Sequence, residues 1–168
     1  MAMSRFLSRV LRDRGASALA EMALSVPLLI TLMLGSFELG NYFMTEHKVV
    51  KAVRDGARYA ARRPFTDYPG CTPSSGMVDA TRNVTRTGSI VSGGEPVVGT
   101  WTDPASITVT ATCVSGGAYS GIYATSPIGT AVVRVAATVP YASVLGQLGL
   151  ADPAFSLQAQ SEAAVTGI

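Results

Sequence analysis

Hydrophobic and polar positions divide the chain into one long apolar stretch, one helical stretch with an apolar face, and several short alternating segments. The apolar stretch runs from Ala16 to Phe37, and Glu21 is the single charged residue among its 22 residues. A helix rises about 1.5 Å per residue, so this run measures about 33 Å and can cross a hydrocarbon core of about 30 Å. A helix in a soluble core would carry polar residues every third or fourth position, and this run does not. The pattern predicts a membrane-spanning helix over about residues 18–44.

A secretory signal peptide is the other common cause of an apolar run near an amino terminus. Its apolar region spans about 7–15 residues and ends at a small-x-small cleavage site. Here the run is longer and continues into SFELGNYFMTEHK, which is typical of further helix. Pro27 and Gly35 are tolerated in membrane helices. Glu21 is costly in lipid without a partner, so it either lies at headgroup level or pairs with a cation, such as the amino terminus of a neighbouring subunit.

Residues 45–63 continue the helical period with apolar positions at spacings of four, four and three: Val49, Val53, Ala57 and Ala60. Basic residues on another face are either solvated or bind anionic headgroups or a neighbour's acidic side chains: Lys48, Lys51, Arg54, Arg58 and Arg62. Gly56 weakens the helix by about 1 kcal/mol relative to Ala, which allows a hinge. Pro64 ends the helix.

The remainder of the chain is predicted to be a small, mostly antiparallel sheet after a loop at residues 64–76 and a short helix. Ser74 or Ser75 caps that helix, with Met77, Ala80, Thr81 and Val84 on one side. Four segments are predicted as strands, at residues 97–101, 107–113, 130–139 and 155–165. The third is the most apolar and suits a central position. Residues 141–150 form a short apolar helix or loop that lies either on the bilayer or on the sheet.

The sheet needs a cover for its apolar face, and the second half of the long helix supplies one. The predicted class is therefore α+β, with a long amino-terminal transmembrane helix and a small antiparallel β-sheet domain packed on its projecting half. The predicted organisation is a basic leader at 1–15, a long helix at 16–63 and an exported α+β domain at 64–168.

Charge is distributed unevenly between these parts. Residues 1–64 contain ten Lys or Arg and five Asp or Glu, whereas residues 65–168 contain three and six. A nucleic-acid-binding protein would concentrate basic residues in its folded domain, so no nucleic-acid partner is expected. Both flanks of the apolar run are positive, so the positive-inside rule does not decide orientation. The length of the carboxy-terminal part and its two cysteines favour export.

Cys71 and Cys113 are the only cysteines. In an exported domain such a pair predicts one disulfide, whereas in a cytosolic domain it predicts two buried thiols. Two cysteines and one histidine are too few for a metal site, and no cofactor or small-molecule substrate is indicated. His47 is predicted to be solvated or interfacial. The chain has no GxSxG, phosphate-binding loop, dinucleotide fingerprint or HExxH motif, and its carboxylates are scattered, so an enzyme is not expected.

One family shares the order of these features. The pattern RGASALAEM at 14–22, an apolar run containing Pro27, GSFELG at 35–40 and VRDGARYAA at 53–61 resembles the TadE-like pseudopilins of tight-adherence (Tad/Flp) pili. The resemblance covers Arg14 to about Arg63 well and the last forty residues more loosely.

The resemblance implies that a prepilin peptidase removes the basic leader after a small residue. Cleavage after Gly15 places Glu21 at mature position six, and cleavage after Ala16 places it at position five. It also implies insertion in the bacterial inner membrane with the carboxy-terminal domain in the periplasm, and assembly with other pilin or pseudopilin subunits into a pilus used in adhesion.

Three functions follow as hypotheses. The favoured one is a structural minor pseudopilin whose helix packs laterally through small residues, namely Ala20, Ala23, Gly35 and Gly40, while Glu21 pairs with a neighbour's new amino terminus and sets the register. The alternative is a membrane-tethered periplasmic binding or adaptor domain outside any pilus. A membrane-anchored enzyme is the least favoured.

Overall fold

The computed structural model describes residues 14–114, 116, 117, 119–124, 126–150 and 155–167. Most of the predicted basic leader, residues 1–13, lies outside the described residues. The helices and strands, in chain order, are α1 (Arg14–Ala61), α2 (Ser75–Thr87), β1 (Ile107–Val114), β2 (Thr130–Pro140), α3 (Val144–Gln147) and β3 (Ser156–Ala164). Short 3₁₀ helices lie at Phe65–Asp67, Pro69–Cys71, Pro104–Ser106 and Gly121–Tyr123.

Helix α1 is 48 residues long and continues through Pro27. It contributes to two units of the molecule. The described residues up to Asn41 form one unit, and residues from Tyr42 onward form a second, compact unit. The compact unit therefore begins within α1, and the last turns of that helix belong to its core.

The sheet has three antiparallel strands in the order β1-β2-β3. Ile107 lies opposite Ala137 and Val114 opposite Thr130, while Val132 lies opposite Ala164 and Pro140 opposite Ser156. Alternate residues of each strand point to the core, as the period-two pattern predicts. The most apolar strand, β2, is central because it alone of the three is paired on both edges.

The predicted strand at residues 97–101 is wrong. The amide of Trp101 donates to the carbonyl of Val98 at 2.9 Å, which closes a turn around Gly99. This turn carries the fully buried Trp101 indole into the core, where its Nε1 donates to Ser106 Oγ at 2.9 Å. Pro96 and Gly99 lower the strand propensity of this short run, and the turn lets the large aromatic ring of Trp101 be buried.

The core of the compact unit lies between α1 and one face of the sheet. The predicted apolar face of α1 is buried throughout, which confirms it: Val49, Val53, Ala57 and Ala60. These residues pack in two clusters with side chains from the sheet, among them Ile107, Val133, Val135, Val139 and Leu157. The predicted α+β class, with a small antiparallel sheet on the long helix, is confirmed.

Helix α2 packs on α1 at Gly56. A Cβ atom at this glycine would lie 1.9 Å from Thr85 Oγ1, so the contact requires glycine. Thr81 and Thr85 are buried, and each hydroxyl donates to a carbonyl of its own helix, four residues earlier. The sequence allows a hinge at Gly56, but α1 is continuous through this residue, which serves close packing instead.

The carboxy-terminal end of α1 is capped by later parts of the chain. The buried Tyr68 hydroxyl donates to the carbonyl of Ala60 at 2.6 Å, and the Thr166 amide donates to the carbonyl of Ala61 at 2.8 Å. Burial raises the pKa of the Tyr68 phenol above its usual value, with a smaller contribution from Asp67. These bonds satisfy carbonyls that every helix leaves free in its last turn.

Candidate functional site

The most distinctive surface of the chain is the apolar part of α1. Within Ala18–Ala61 the most apolar window of 18 residues has a mean hydropathy of 1.9, and none of it is buried. Large side chains point outward around the whole helix: Leu19, Met22, Leu24, Leu28, Leu29, Leu32, Met33, Phe37 and Leu39. A soluble helix hides such residues against a core, so this segment needs a lipid or protein environment.

Two hydroxyl groups within this segment bond to carbonyls of their own helix. Thr31 Oγ1 donates to the carbonyl of Pro27 and Ser36 Oγ donates to that of Leu32, both at 2.8 Å. Both bonds run back one helical turn, so neither of these two hydroxyls is left as a free donor on the surface. The segment is thus suited to an environment without water, and it is long enough to cross a membrane.

Glu21 lies in the first half of this apolar surface and is exposed. Its carboxylate makes no hydrogen bond or ion pair within the part of the chain that the structure describes. A carboxylate in hydrocarbon is stable only when a cation or donors approach it. The side chain is therefore available to a group on another molecule.

The small residues predicted to permit helix packing do not all share a face. A helix turns about 100° per residue, so Ala20, Ala23 and Gly35 fall within about 120° of one another, whereas Gly40 lies about 160° around from Ala20. A Cβ at Gly35 or Gly40 would meet nothing within 4 Å. Both glycines therefore leave shallow notches that a neighbouring helix can enter, on two sides of α1.

Gly15 and Ala16, the predicted cleavage positions, lie in the first turn of α1 as the structure has it. The arginines that precede Gly15 in the predicted leader lie outside the described residues, apart from Arg14, which begins the helix. The scissile bond stays a prediction.

The basic residues of the second half of α1 face solvent, which agrees with the prediction of a solvated face. Lys48, Lys51, Arg54 and Arg58 are exposed, and Arg58 pairs with Asp55 at 3.7 Å. Lys48 and Lys51 also border a groove beside α2 that Val84 and Val97 line. Exposed ion pairs contribute little to stability, so these cations are free to bind another partner.

Cys71 and Cys113 form a disulfide, with 5.9 Å between their Cα atoms. The bond joins the 3₁₀ helix Pro69–Cys71 to strand β1. This confirms the pairing predicted for an exported domain. Arg63 and Asp67 form an ion pair at 2.8 Å close by in the chain, and this hydrogen bond raises the pKa of the Arg63 guanidinium. The segment after α1 is thus fixed to the sheet by covalent and polar contacts.

One aromatic contact of the compact unit is not evident from the sequence. Tyr42 and Tyr141 are in edge-to-face contact, with ring centroids 5.4 Å apart, although 99 residues separate them in sequence. An aromatic residue at the end of an apolar stretch is a signal for Tyr42, because such residues mark membrane boundaries. No local pattern identifies Tyr141 as its partner.

Among the described residues, no three His, Cys, Asp or Glu side chains lie together as possible metal ligands. The outer face of the sheet presents a shallow polar groove with Ser106, Thr108, Arg134 and Gln158. Arg134 is hydrogen-bonded to Gln160 and lies 3.9 Å from Glu162. Among the residues of this groove, no nucleophile lies against a general base, so the groove has the character of a solvated sheet surface.

Comparison with known protein families gives a match to the first part of the chain. The family model described as TadE-like protein matches residues 15–58. The chain is TadE-like over its long helix. The match includes the apolar surface, Glu21 and the buried Val49, Val53 and Ala57 of α1, and it ends before α2 and the sheet. No curated protein matches the chain, and no solved structure matches it.

This likeness confirms the resemblance seen in the sequence motifs. It implies a protein associated with a tight-adherence pilus, in a family that is structural rather than catalytic. Among the described residues, one helix near the amino terminus is long and apolar enough to cross a membrane, which fits a single-pass membrane protein.

Proposed function

We propose that this protein is a minor pseudopilin that takes part in assembling a tight-adherence pilus. The observation that carries the proposal is the wholly exposed apolar surface of α1 within the TadE-like segment. In this proposal a prepilin peptidase removes the basic leader, and the helix then packs laterally against other pilin or pseudopilin helices in the inner membrane. The compact unit lies in the periplasm, and the disulfide supports an oxidising compartment.

Glu21 supplies the specificity of this packing. Cleavage after Gly15 or Ala16 creates a new amino terminus that carries a positive charge and places Glu21 at mature position six or five. A carboxylate that has no partner among the described residues gains one when the amino terminus of a neighbouring subunit approaches it in lipid. The pair offsets the cost of a buried charge and fixes the axial offset between two helices.

Small residues allow the helices to approach closely. Without a hydrophobic driving force between helices in lipid, association depends on van der Waals packing, which small residues favour. Ala20, Ala23 and Gly35 offer such a surface on one side of α1, and Gly40 offers a second notch on the other side. A subunit inside a bundle has neighbours on more than one side, and this arrangement suits that environment.

Substitution of Glu21 tests the pairing. We expect Glu21→Ala to abolish pilus assembly in cells while leader removal continues, and Glu21→Asp to retain part of the assembly. Glu46→Ala is the matched control, because Glu46 lies on the same helix but beyond the exposed apolar surface. Normal pili in the Glu21→Ala strain would refute the pairing.

Leader removal separates this function from that of a membrane-tethered binding domain, which needs no processing. Mass spectrometry of the purified protein should show an amino terminus at Ala16 or Ser17 in cells that contain the prepilin peptidase. The full-length chain should appear in cells that lack it. An intact leader in both strains contradicts the pilin assignment.

A further inference from the structure

The compact unit exposes three large apolar side chains close together in sequence after β2. Leu148, Leu150 and Phe155 are 61%, 64% and 60% exposed. We refer to these three residues as the apolar corner. The segment leading to it, Tyr141–Leu150, has the sequence YASVLGQLGL and contains no charged residue. Asp152 lies between Leu150 and Phe155 in the sequence, outside the described residues. Exposed apolar groups of this size mark surfaces that contact a partner or a membrane.

The backbone amides from Gly146 to Leu150 are hydrogen-bonded within this segment. Ser143 caps α3, since its Oγ accepts a bond from the Gly146 amide at 3.0 Å. At the other end the amides of Leu150 and Gly149 donate to the carbonyls of Leu145 and Gly146, both at 3.0 Å.

Gly149 has a φ of +72°, so these two bonds form a Schellman motif that closes the end of α3. The amides of Gln147 and Leu148 are also bonded, to carbonyls four residues earlier. A segment can leave water at low cost only when its amides are paired in this way.

Tyr141 places the start of this segment beside Tyr42 of α1. The two rings are in edge-to-face contact, and the Tyr42 ring in turn lies 5.8 Å from that of Phe43. Tyr42 is the first residue of the compact unit and falls within the last residues of the predicted span at 18–44. Tyrosine at the end of a membrane helix typically lies at headgroup level.

We propose that the apolar corner enters the boundary between lipid headgroups and acyl chains, and so forms a second membrane contact. This inference rests on the proposed membrane insertion of α1. Lipid is the occupant because the segment is uncharged from Tyr141 to Leu150, its amides from Gly146 to Leu150 are paired, and Tyr141 contacts the aromatic ring of Tyr42. The segment acts as an interfacial anchor, which lies in the surface of the membrane without crossing it.

Position-specific fluorescence quenching tests the inference on the full chain in liposomes whose lipids carry bromine on the acyl chains. Cys71 and Cys113 remain oxidised, so a single introduced cysteine carries the environment-sensitive dye. Leu148→Cys is the test position. Leu32→Cys marks the apolar part of α1, and Thr110→Cys marks the solvent-exposed face of the sheet.

We expect the dye at residue 148 to lose fluorescence in brominated lipid much as the dye at residue 32 does, and the dye at residue 110 to lose none. Quenching at 32 without quenching at 148 overturns the inference and leaves membrane insertion of α1 intact. Absence of quenching at both positions overturns insertion and this inference together. A blue-shifted emission at 148 that brominated lipid does not quench means that protein covers the corner, and it overturns the lipid assignment.

A second measurement asks whether the leucines themselves produce the contact. A dye on Gln147→Cys, a neighbouring exposed position, is compared in the parent and in the Leu148→Ser, Leu150→Ser double variant. Both substitutions lie on the surface, so folding should be retained. Loss of quenching in the double variant supports the inference, and unchanged quenching overturns it.

Discussion

Gly56 illustrates how one residue determines the approach of two helices. Its Cα faces Thr85 of α2, and a methyl group on Gly56 would overlap the threonine hydroxyl, because only 1.9 Å would separate the methyl carbon from the hydroxyl oxygen. We expect Gly56→Ala to lower the free energy of unfolding by about 1–3 kcal/mol, because overpacking outweighs the better helix propensity of alanine. Urea denaturation followed by circular dichroism measures the change.

Two further variants make this prediction specific. Thr85→Ala removes the overlapping oxygen, so the Gly56→Ala, Thr85→Ala double variant should be more stable than the sum of its single changes predicts. Gly76→Ala is the control, since it lies in α2 with nothing within 4 Å of its Cβ position, and it should be neutral or slightly stabilising. Equal losses for Gly56→Ala and Gly76→Ala contradict the packing role.

Tyr68 gives the compact unit a measurable response to alkaline pH. At neutral pH its hydroxyl bonds to the carbonyl of Ala60, so Tyr68→Phe should cost about 1 kcal/mol. The pKa of an unfolded tyrosine is about 10, and burial raises the pKa of the folded Tyr68 above that value. Above about pH 10 the folded chain therefore holds more protons than the unfolded chain, so the stability that Tyr68 provides is complete below that pH and falls as pH rises further.

Comparison of the parent protein with the Tyr68→Phe variant isolates this effect from the other tyrosines. The difference in unfolding free energy between the two proteins should be constant from about pH 7 to 9 and should shrink above about pH 10. Denaturant titrations at each pH provide the measurement. A difference that grows at alkaline pH would show that the folded state favours the phenolate, contrary to the burial of this side chain.

Among the elements, the segment after α1 depends on the disulfide for its attachment to β1. Cys71 adopts a positive φ of 67°, and neighbouring Gly70 does so as well, so the local backbone is held in a conformation that cysteine rarely adopts alone. Closing the loop of 42 residues should stabilise the fold by about 4 kcal/mol in the chain-entropy account. The Cys71→Ser, Cys113→Ser variant should lose about that amount in denaturant unfolding.

Reductant supplies the control for the disulfide prediction. Reduction should destabilise the parent protein to a similar extent and leave the double serine variant unchanged. Destabilisation of both proteins by reductant would assign the effect to something other than this bond.

The sequence predicts the elements that a local pattern determines. Prediction fails where a contact with a residue distant in sequence determines the structure. Strands β1, β2 and β3 alternate regularly, so their faces and the central place of β2 follow from the residues themselves. The run at 97–101 is apolar enough for a strand, but its conformation depends on the core position of Trp101, which no neighbouring residue reveals. Gly56 is a second case, because its partner Thr85 lies 29 residues away on another helix.

At the scale of the whole molecule, the two units have opposite surface chemistry. The compact unit buries an apolar core between helix and sheet, whereas the unit before Tyr42 exposes its apolar residues on every side of α1. The apolar length and composition can be read from the sequence. The rotational positions of Ala20, Ala23 and Gly35, and the opposite position of Gly40, follow only once the segment is known to be one continuous helix.

The positions of Gly35 and Gly40 on α1 predict that the helix associates in lipid, either with copies of itself or with related helices. Gly35→Leu should weaken association, because a large side chain fills the notch that a neighbouring helix would enter, with no intramolecular contact disturbed. Energy transfer between labelled chains in liposomes, at several protein-to-lipid ratios, measures the association. Leu32→Phe is the matched control, since it enlarges a side chain that already projects from the same region.

Gly40→Leu then reports on the other side of the helix. If α1 is surrounded by neighbours, as in a pilus bundle, both glycine variants should reduce energy transfer and their effects should add, because the two notches lie on different sides and share no contact. If one face alone packs, only Gly35→Leu should act, and the second notch has no role in assembly. Equal energy transfer in Gly35→Leu, Leu32→Phe and the parent would contradict packing through the small residues altogether.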